Sequence, residues 1–292
     1  MNSITVKAYA KINLGLDVLR KRPDGYHDVY MIMQSLDLHD LITISKVTEE
    51  GITIRTNLSF LPSNQDNLIY KAAALFLQTH GIREGLHLDL EKNIPVAAGL
   101  AGGSSDAAAT LIGLNKLYQT GMSLEQLQKL GVKLGADIPY CLMLGTALSE
   151  GIGEVLTNLP PMPACWVLLV KPDISVSTKY VYENLKLNET SIHPDIKAMT
   201  ASLENKDIYG LTKNMDNILQ SVTGKDYPII SDIKDKMKEL GALTSLMSGS
   251  GPTVFGIYQN RTIAMKAYSY FKKYQHFGKQ VFLTTPYWPK EE

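Results

Sequence analysis

Short runs of alternating or β-branched apolar residues dominate the first 60 positions of the chain and predict strands. The runs cover residues 4–9, 12–19, 29–36, 42–45 and 52–56. Between the second and third runs, Pro-Asp-Gly at residues 23–25 is a strong turn signal. The pattern predicts an antiparallel or mixed sheet that is built from the beginning of the chain.

Helical periodicity follows these strands. Asp66 and Asn67 precede an apolar stripe, and Gly81 follows it, which predicts a capped helix between them. A further strand is predicted at residues 86–90.

A second helix is predicted from a capping signal. Ser123 is followed three residues later by Gln126, which is the capping-box pattern. Leucines at helical spacing continue from there, and Gly135 is predicted to end the helix.

The composition of the chain changes near residue 155. Residues 159–163 contain three prolines, which predict a linker or a domain edge. We therefore expect an N-terminal domain over residues 1–158 and a C-terminal domain over residues 159–292. The predicted C-terminal elements are a strand at 165–170, helical stretches at 178–187 and on to about 219, a helix capped by Ser231 and stopped by Gly241, strands at 242–247 and 253–258, a helix from about 262, and a strand at 280–284. This order predicts a split β-α-β arrangement of the ferredoxin-like kind.

Composition narrows the function classes. The chain has 292 residues, of which 45% are hydrophobic and 20% charged, and its formal net charge is zero. A neutral chain offers no global attraction for nucleic acid or an anionic membrane. Its longest apolar runs are too short to span a bilayer, and the first residues lack a signal-peptide core. We expect a cytoplasmic protein of α+β class.

The sequence offers no metal-binding or disulfide pattern. Cys141 and Cys165 lie in apolar surroundings without CxxC spacing, so buried free thiols are expected. The six histidines show neither an HExxH motif nor paired spacing, and no zinc site is predicted.

A glycine-rich loop is the strongest chemical signal. Residues 95–109 read PVAAGLAGGSSDAAA, in which Gly99, Gly102 and Gly103 permit close approach of the backbone to a ligand. The alanine-rich continuation predicts a helix, whose N-terminus would favour a phosphate. The loop is neither a Walker A motif nor a Rossmann fingerprint. Anion binding is favoured, and the alternative is a glycine turn that packs under a helix for steric reasons.

Three polar residues follow these glycines. Ser104, Ser105 and Asp106 have the side chains that cap helix starts, so they are expected to cap the predicted helix.

Asp137 is a candidate catalytic acid or base. It follows a helix-ending glycine and stands among apolar neighbours, where a carboxylate is costly unless it is paired or functional. The alternative is that Asp137 only caps the segment that follows it.

Two polar pairs near the start of the chain are candidates for substrate contacts. Lys11 and Asn13 share one face of a predicted strand, although a strand lysine commonly points to solvent. Tyr26 and His27 follow the turn, and a tyrosine face can stack on a base whose edge a histidine bonds. Ordinary polar residues at the mouth of a hairpin are the alternative for the second pair.

Ser-Gly-Ser-Gly at residues 248–251 is a second loop rich in N–H groups. Glycine is common in hairpin turns, so this turn alone is weak evidence for a ligand site. It gains weight because it is the second loop of this kind in the chain.

Together these motifs resemble the GHMP kinases, the family of galactokinase, homoserine kinase, mevalonate kinase and phosphomevalonate kinase. The family loop P-x-x-x-G-L-[GA]-[GS]-[GS]-S is matched by residues 95–104, and its glycine-rich C-terminal turn by residues 248–252. Five segments narrow the resemblance to members whose substrate carries a cytidine diphosphate: AKINL at 10–14, RPDGYH at 22–27, GLAGGSS at 99–105, LGADIP at 134–139 and MSGSGPT at 247–253.

The resemblance implies a two-domain GHMP architecture, with a mixed sheet and helices in the N-terminal domain and a ferredoxin-like C-terminal domain. It also implies ATP-dependent phosphorylation of an alcohol group. Asp137 would orient or deprotonate the hydroxyl, and Lys11 would lie beside it and favour its ionised form. The expected substrate-binding residues are Asn13, Tyr26, His27, Thr178 and Tyr182.

The resemblance likewise assigns a nucleotide site. Its expected residues are Asn67, Lys92, Pro95, Val96, Ala97, Ala98, Gly99, Leu100, Ala101, Gly102, Gly103, Ser104 and Ser105, with the turn of Gly249, Ser250 and Gly251 facing the site. Magnesium would bridge the ATP phosphates, with Ser105 as its candidate protein ligand. The expected partner is a small-molecule substrate, with no nucleic acid and no membrane, and the chain would be a monomer or a homodimer.

The chain departs from the family pattern at a few positions. Ala98 and Ala101 stand where many relatives have glycine, so both are expected to avoid positive φ. Tyr182 stands where phenylalanine is common, and Tyr180 is the alternative stacking residue.

Two other functions stay open at this point. One is another small-molecule kinase of the same family, of the homoserine or mevalonate type. The other is a nucleotide-binding regulator without catalysis, which would keep the glycine loop but would not need Asp137 or Lys11.

Overall fold

A computed structural model describes residues 2–187 and 193–289 of the chain. The chain forms two compact units. The first unit comprises the described parts of residues 1–10, 38–96 and 101–143, and the second those of residues 11–37, 97–100 and 144–292. The sequence predicts two domains that meet at one boundary, between residues 158 and 159. The two compact units are defined by contacts instead, and each combines several stretches of the chain. The domain boundary between residues 158 and 159 therefore stays a prediction.

The first sheet has the strand order β3-β4-β2-β5-β6, with β1 paired to β2. Its strands are β1 (Ser3–Lys21), β2 (His27–Val47), β3 (Ile52–Thr56), β4 (Gly85–Glu91), β5 (Thr146–Glu150) and β6 (Val155–Asn158). β3 pairs with β4 in parallel, and β4 and β5 each pair with β2 antiparallel. The predicted mixed sheet is therefore confirmed.

The predicted short strands at the start of the chain are merged in pairs into β1 and β2, which have 19 and 21 residues. The apolar runs reflect where these strands are buried, and the polar residues between runs do not interrupt them. The predicted turn between the strands is confirmed, and Gly25 adopts a φ of 89° there.

Four helices belong to the first unit: α1 (Leu68–His80), α2 (Gly102–Tyr118), α3 (Leu124–Gly131) and α4 (Ile138–Met143). The ends of α1 are as predicted, with Asn67 as N-cap and Gly81 in the left-handed region. The capping box of α3 is also confirmed. However, α3 ends at Gly131 rather than at Gly135, because α4 packs against its end. A Cβ at Gly131 would lie 2.6 Å from Ile138 Cγ2.

The start of α2 differs from the prediction. Ala101 is its N-cap, with a φ of 55° and no capping side chain, so Ser104, Ser105 and Asp106 lie inside the helix. The expectation that Ala101 avoids positive φ is therefore wrong. A single alanine in this conformation costs about 1 kcal/mol, and it turns the chain directly from the loop into the helix. Because no side chain caps the helix, the first N–H groups of α2 stay available to a ligand.

The second sheet lies in the second unit and has the antiparallel order β10-β7-β9-β8. Its strands are β7 (Trp166–Lys171), β8 (Thr244–Met247), β9 (Val254–Tyr258) and β10 (Gln280–Thr284). The α-helices in the described part of this unit are α5 (Thr178–Asn184), α6 (Ile196–Glu204), α7 (Ile208–Lys213), α8 (Gln220–Asp226), α9 (Ile229–Glu239) and α10 (Arg261–Lys273). Because α9 and α10 pack on this sheet, the predicted ferredoxin-like arrangement is confirmed.

Two sequence predictions fail in the second unit. Ser231 does not cap α9, because Pro228 precedes the helix with a φ of −54° and lets it begin at Ile229, three residues earlier than a cap at Ser231 would. The hairpin of β5 and β6 was not predicted, since its strands have only five and four residues. Part of the predicted helical stretch after residue 187 lies outside the described residues.

Candidate active site

In the second unit, the two glycine-rich segments lie against each other. Ser248 Oγ donates to Gly99 O at 2.8 Å, and Thr253 N donates to Ala98 O at 3.3 Å. A Cβ at Gly99, whose φ is 75°, would lie 2.2 Å from Ser248 O. Glycine at position 99 is therefore required by the contact with the C-terminal turn as well as by its own backbone conformation.

Lys11 and Asn13 form a buried polar pair beside this turn. Lys11 is 5% exposed, and its Nζ donates to Asn13 Oδ1 at 2.8 Å. A Cβ at Gly249 would lie 3.6 Å from Lys11 Nζ and 3.5 Å from Asn13 Oδ1. Lys11 therefore does not point to solvent, and a buried ammonium next to a neutral amide is expensive unless it serves function.

The candidate pyrimidine site gathers residues from two segments of the second unit. The rings of His27 and Tyr182 have centroids 5.2 Å apart, while Tyr26 is 59% exposed. Burial and nearby Lys21 lower the pKa of His27. A neutral imidazole has one donor and one acceptor nitrogen, and both kinds of group occur along the edge of cytosine.

The two candidate stacking tyrosines have different surroundings. Tyr180 donates its hydroxyl to Asp226 Oδ2 at 3.1 Å, and Tyr182 contacts His27. Thr178, from the same helix, shares a 2.8 Å hydrogen bond with Ser250 of the glycine turn. This arrangement favours Tyr182 over Tyr180 as the stacking residue, and its role stays a prediction.

In the first unit, Lys92 lies in a buried ion cluster. Its Nζ bonds Asp40 and, at 2.7 Å, Asp106 Oδ2. Asp40 Oδ1 also accepts the N–H of Ile94 at 2.7 Å, and a Cβ at Gly102 would lie 2.9 Å from Lys92 Nζ. The cluster thereby ties β2 and the chain after β4 to the start of α2. Within the described residues, the ammonium of Lys92 is hydrogen-bonded to the side chains of Asp40 and Asp106, so its expected contact with a nucleotide stays a prediction.

Asp106 is the weakly satisfied member of this cluster. Within the described residues, its Oδ1 has no hydrogen-bond partner. Burial outweighs the attraction of Lys92 and, together with Asp40, raises the pKa of Asp106 to about 8. Protonation of Asp106 leaves one carboxylate and one ammonium, which avoids burying a net negative charge.

The serines of the loop differ in orientation. Ser105 is 2% exposed, and its hydroxyl donates to Tyr9 O at 2.7 Å and contacts Cys141 Sγ at 3.3 Å. Ser104 is half-buried. In this arrangement the Ser105 hydroxyl is turned into the first unit and is not presented to a metal ion. Among the described residues, no group of three or more His, Cys, Asp and Glu could hold a metal.

Asn67 and Asp137, the remaining candidates, both belong to the first unit. Asn67 uses both ends of its amide locally, because Oδ1 accepts from Ile69 N at 3.1 Å and Nδ2 donates to Pro62 O at 2.7 Å. Asp137 is half-buried just before α4, and its carbonyl accepts Cys141 N at 3.0 Å. Lys11 belongs to the second unit, so its expected pairing with Asp137 stays a prediction.

Sequence reasoning missed Asp40 and Asn217. Asp40 lies inside a strand, where an acidic residue must find a partner if it is buried, and it is fully buried. Asn217 is 1% exposed in a stretch that reads only as polar and helical. Burial is the signal that would have found both residues, and it is a property of the folded chain.

None of the helices in the described ranges has the length and apolar character needed to cross a lipid bilayer.

The glycine loop, the glycine turn and the two-sheet fold are typical of a class of small-molecule kinases. Comparison with known proteins supports this classification. A family model described as the GHMP kinases N terminal domain matches residues 67–145, and one described as GHMP kinases C terminal matches residues 199–276. The chain belongs to the GHMP kinase family.

Similar curated proteins share one name. A protein of Lachnoclostridium phytofermentans is 59% identical over 284 residues, which cover 97% of each chain, and is named 4-diphosphocytidyl-2-C-methyl-D-erythritol kinase. A protein of Lachnospira eligens with the same name is 50% identical and matches over 99% of this chain and 100% of its own.

Solved structures agree on the fold. A crystal structure of 4-(cytidine 5'-diphospho)-2C-methyl-D-erythritol kinase superimposes with a TM-score of 0.84 at 30% identity, covering 98% of this chain and 100% of its own. A homoserine kinase from Cytophaga hutchinsonii superimposes with a TM-score of 0.79 at 21% identity, covering 98% of this chain and 95% of its own, and shows the fold alone.

The close approach at Gly99 generates a stability prediction. Gly99→Ala adds a methyl 2.2 Å from Ser248 O, whereas Gly121→Ala adds one in open space at a similar φ of 69°. Both variants carry left-handed strain, so we expect Gly99→Ala to lose at least about 2 kcal/mol more of the free energy of unfolding. Urea denaturation of both variants measures the difference. Equal losses would show that the contact at Gly99 tolerates a side chain.

The Asp106 cluster generates a pH prediction. Asp106 keeps its proton to about pH 8 when folded but releases it above the ordinary value of 3.8 when unfolded. Stability is therefore lost as pH rises between these values, by at most about 1.4 kcal/mol per pH unit. Asp106→Asn removes this titration. The melting temperature of the wild type should therefore fall relative to that of the variant as the pH rises from 5 to 8. A difference that does not vary with pH would contradict the raised pKa.

Proposed function

We propose that this chain catalyses ATP-dependent phosphorylation of the C2 hydroxyl of 4-diphosphocytidyl-2-C-methyl-D-erythritol, a step of the non-mevalonate route to isoprenoid precursors. The observation that carries the proposal is the buried pair of Lys11 and Asn13 beside the glycine turn, in the unit that also holds His27 and Tyr182. The shared name of relatives at 50–59% identity over nearly the full length supports it.

The pyrimidine of the substrate is assigned to the aromatic group of the second unit. With centroids 5.2 Å apart, His27 and Tyr182 touch directly, so a base does not fit between them unless they separate. We therefore assign stacking to Tyr182 or to the exposed ring of Tyr26, and hydrogen bonding of the base edge to His27. Asn13 would bond the hydroxyls of the methylerythritol.

The phosphates of ATP are assigned to the N-terminus of α2. Its first turn carries no capping side chain, and its 17 residues provide a helix dipole whose positive end favours an anion. The glycines of the loop permit close approach of phosphate oxygens, and Ser104 supplies a hydroxyl. Asn67 lies at the start of α1, next to Leu68. A Cβ at Gly103 would lie 3.3 Å from Leu68 Cδ1, so the start of α1 lies close to the glycine loop. This proximity supports the assignment of Asn67 to the nucleotide side.

The chemical step needs an oriented alcohol and neutralised charge. We assign Asp137 to accept or orient the hydroxyl proton while the alcohol oxygen bonds the γ-phosphorus and the bond to the β-phosphate oxygen breaks, releasing ADP. Lys11, a buried ammonium, would offset the charge of the transferring group.

Magnesium, when bound, neutralises phosphate charge in such kinases. Ser105, the candidate protein ligand, does not fit this role in the present arrangement, because its hydroxyl donates to Tyr9 O at 2.7 Å inside the first unit. We therefore infer that the phosphates themselves hold the ion. The chain's location in the cytoplasm and its state as monomer or homodimer remain predictions.

The acceptor assay tests the proposed function. ATP turnover should be observed with 4-diphosphocytidyl-2-C-methyl-D-erythritol and be lost with 2-C-methyl-D-erythritol 4-phosphate, because the latter lacks the cytidine group that His27 and Tyr182 would bind. A coupled assay of ADP release across both compounds, homoserine and mevalonate measures this. Equal turnover of the compound without cytidine, or preference for homoserine or mevalonate, would favour another kinase of the family.

The catalytic assignment is tested at two residues. We expect Asp137→Asn to lower kcat by at least about 10²-fold, since general bases contribute that much, while ATP binding measured by calorimetry persists. Lys11→Met keeps the buried volume of the side chain and should also lower kcat. An unchanged kcat in Asp137→Asn would remove Asp137 from the chemistry, and no turnover by the wild type with retained ATP binding would support the regulator alternative.

A further inference from the structure

Three polar side chains line one side of the segment that leads into α8. Asn217, Gln220 and Thr223 are spaced by three residues, which is the spacing of neighbours on a helical turn. Asn217 forms an isolated β-bridge with Leu16, and a turn leads from it into α8, where Gln220 N donates to Asn217 O at 3.0 Å. We call these three residues the polar ladder. Asn217 and Thr223 are each 1% exposed.

The first two members of the polar ladder hold the end of β8. Asn217 Nδ2 donates to Met247 O at 2.8 Å and to Gly249 O at 2.7 Å. Met247 N donates to Gln220 Oε1 at 3.0 Å. Asn217 Oδ1 accepts from Leu219 N at 3.0 Å, so the amide group is oriented from both of its ends.

The third member reaches the turn itself. Thr223 Oγ1 donates to Ser250 O at 3.1 Å. The polar ladder therefore binds the carbonyl oxygens of residues 247, 249 and 250. Residue 247 directly precedes the glycine turn, and residues 249 and 250 belong to it.

The bond to Gly249 O also orients an N–H group. In a planar trans peptide the C=O and the following N–H point in opposite directions, so Asn217 holds the N–H of Ser250 on the side away from itself. Across residues 2–187 and 193–289, that N–H donates to no protein acceptor. Backbone N–H groups in such turns are suited to stabilise an anion.

The polar ladder is tied to the strand that carries the polar pair. Leu16 N donates to Asp216 O at 2.9 Å, and Ile218 N donates to Leu16 O at 3.0 Å. Leu16 lies on β1 together with Lys11 and Asn13. The glycine turn is therefore held, through Asn217 and its neighbours, by the same strand that carries Lys11 and Asn13.

We propose that Asn217 and Thr223 are positioning residues that act through the glycine turn, holding it beside Lys11 and orienting the N–H of Ser250 for the phosphoryl transfer. This inference rests on the proposed function for its kinetic consequence. The two residues touch neither substrate in the assignment above, so their loss should act on kcat more than on either KM.

The experiment compares Thr223→Val and Asn217→Asp with matched controls in the same unit. Thr223→Val removes one hydroxyl at nearly constant volume, and Thr223→Ser keeps it. Thr212→Val makes the same change in a buried threonine that bonds Ile208 O within α7. Asn214→Asp makes the same change at a half-buried asparagine, whose Nδ2 donates, within the described residues, only to Gly210 O of α7.

Steady-state kinetics is the first measurement. We expect Thr223→Val and Asn217→Asp to lower kcat about tenfold or more, with both KM values within about threefold. Thr223→Ser, Thr212→Val and Asn214→Asp should keep kcat within about twofold of the wild type. Equal kcat in Thr223→Val and Thr212→Val would overturn the proposal, as would a loss that Thr223→Ser does not restore.

Hydrogen–deuterium exchange of the intact protein is the second measurement, and it does not depend on activity. Peptides covering residues 247–251 should exchange faster in Asn217→Asp than in Asn214→Asp, while those of β7 and β9 should not change. Unchanged exchange at residues 247–251 would overturn the proposal. If the wild type fails to phosphorylate the cytidyl substrate, the proposed function falls, and the exchange result alone then decides the inference.

Discussion

The contact between Gly99 and Ser248 is the constraint on which the second unit's part of the site depends. Two segments almost 150 residues apart meet there so closely that a Cβ at Gly99 would lie 2.2 Å from a carbonyl oxygen. Only glycine permits this approach together with a positive φ. The contact places the C-terminal turn next to the loop and, through Gly249, next to the buried pair of Lys11 and Asn13.

Two lysines are buried among the described residues, and their surroundings explain their different assignments. Lys92 lies between the carboxylate of Asp40 and the carboxyl group of Asp106, and this arrangement satisfies its charge inside the first unit. Lys11 has the neutral amide oxygen of Asn13 as its hydrogen-bond partner within the second unit. An ammonium that is paired with a carboxylate stabilises the fold, whereas an ammonium whose partner is a neutral amide can still attract an anionic ligand strongly.

Hydrogen-bond groups are left open where a phosphate would need them. Helix α2 begins without a capping side chain, and Ala101 adopts a left-handed conformation that costs about 1 kcal/mol. Strain and unsatisfied backbone groups of this kind are concentrated at functional sites. Asn217 and Thr223 have the opposite role, because their hydrogen bonds hold the carbonyls of Gly249 and Ser250, and the bond to Gly249 O leaves the N–H of Ser250 facing away from Asn217.

Local signals determined the caps of α1 and α3, the turn at Gly25, the glycine loop and the order of the ferredoxin-like elements, because each depends on residues close in sequence. The motifs also determined the family. Tertiary structure alone decided that Lys11 is buried, that Tyr182 rather than Tyr180 meets His27, and that α3 ends at Gly131. It also decided the partners of Asp40 and Asn217, since burial and close approach arise from segments that pack together from distant parts of the chain.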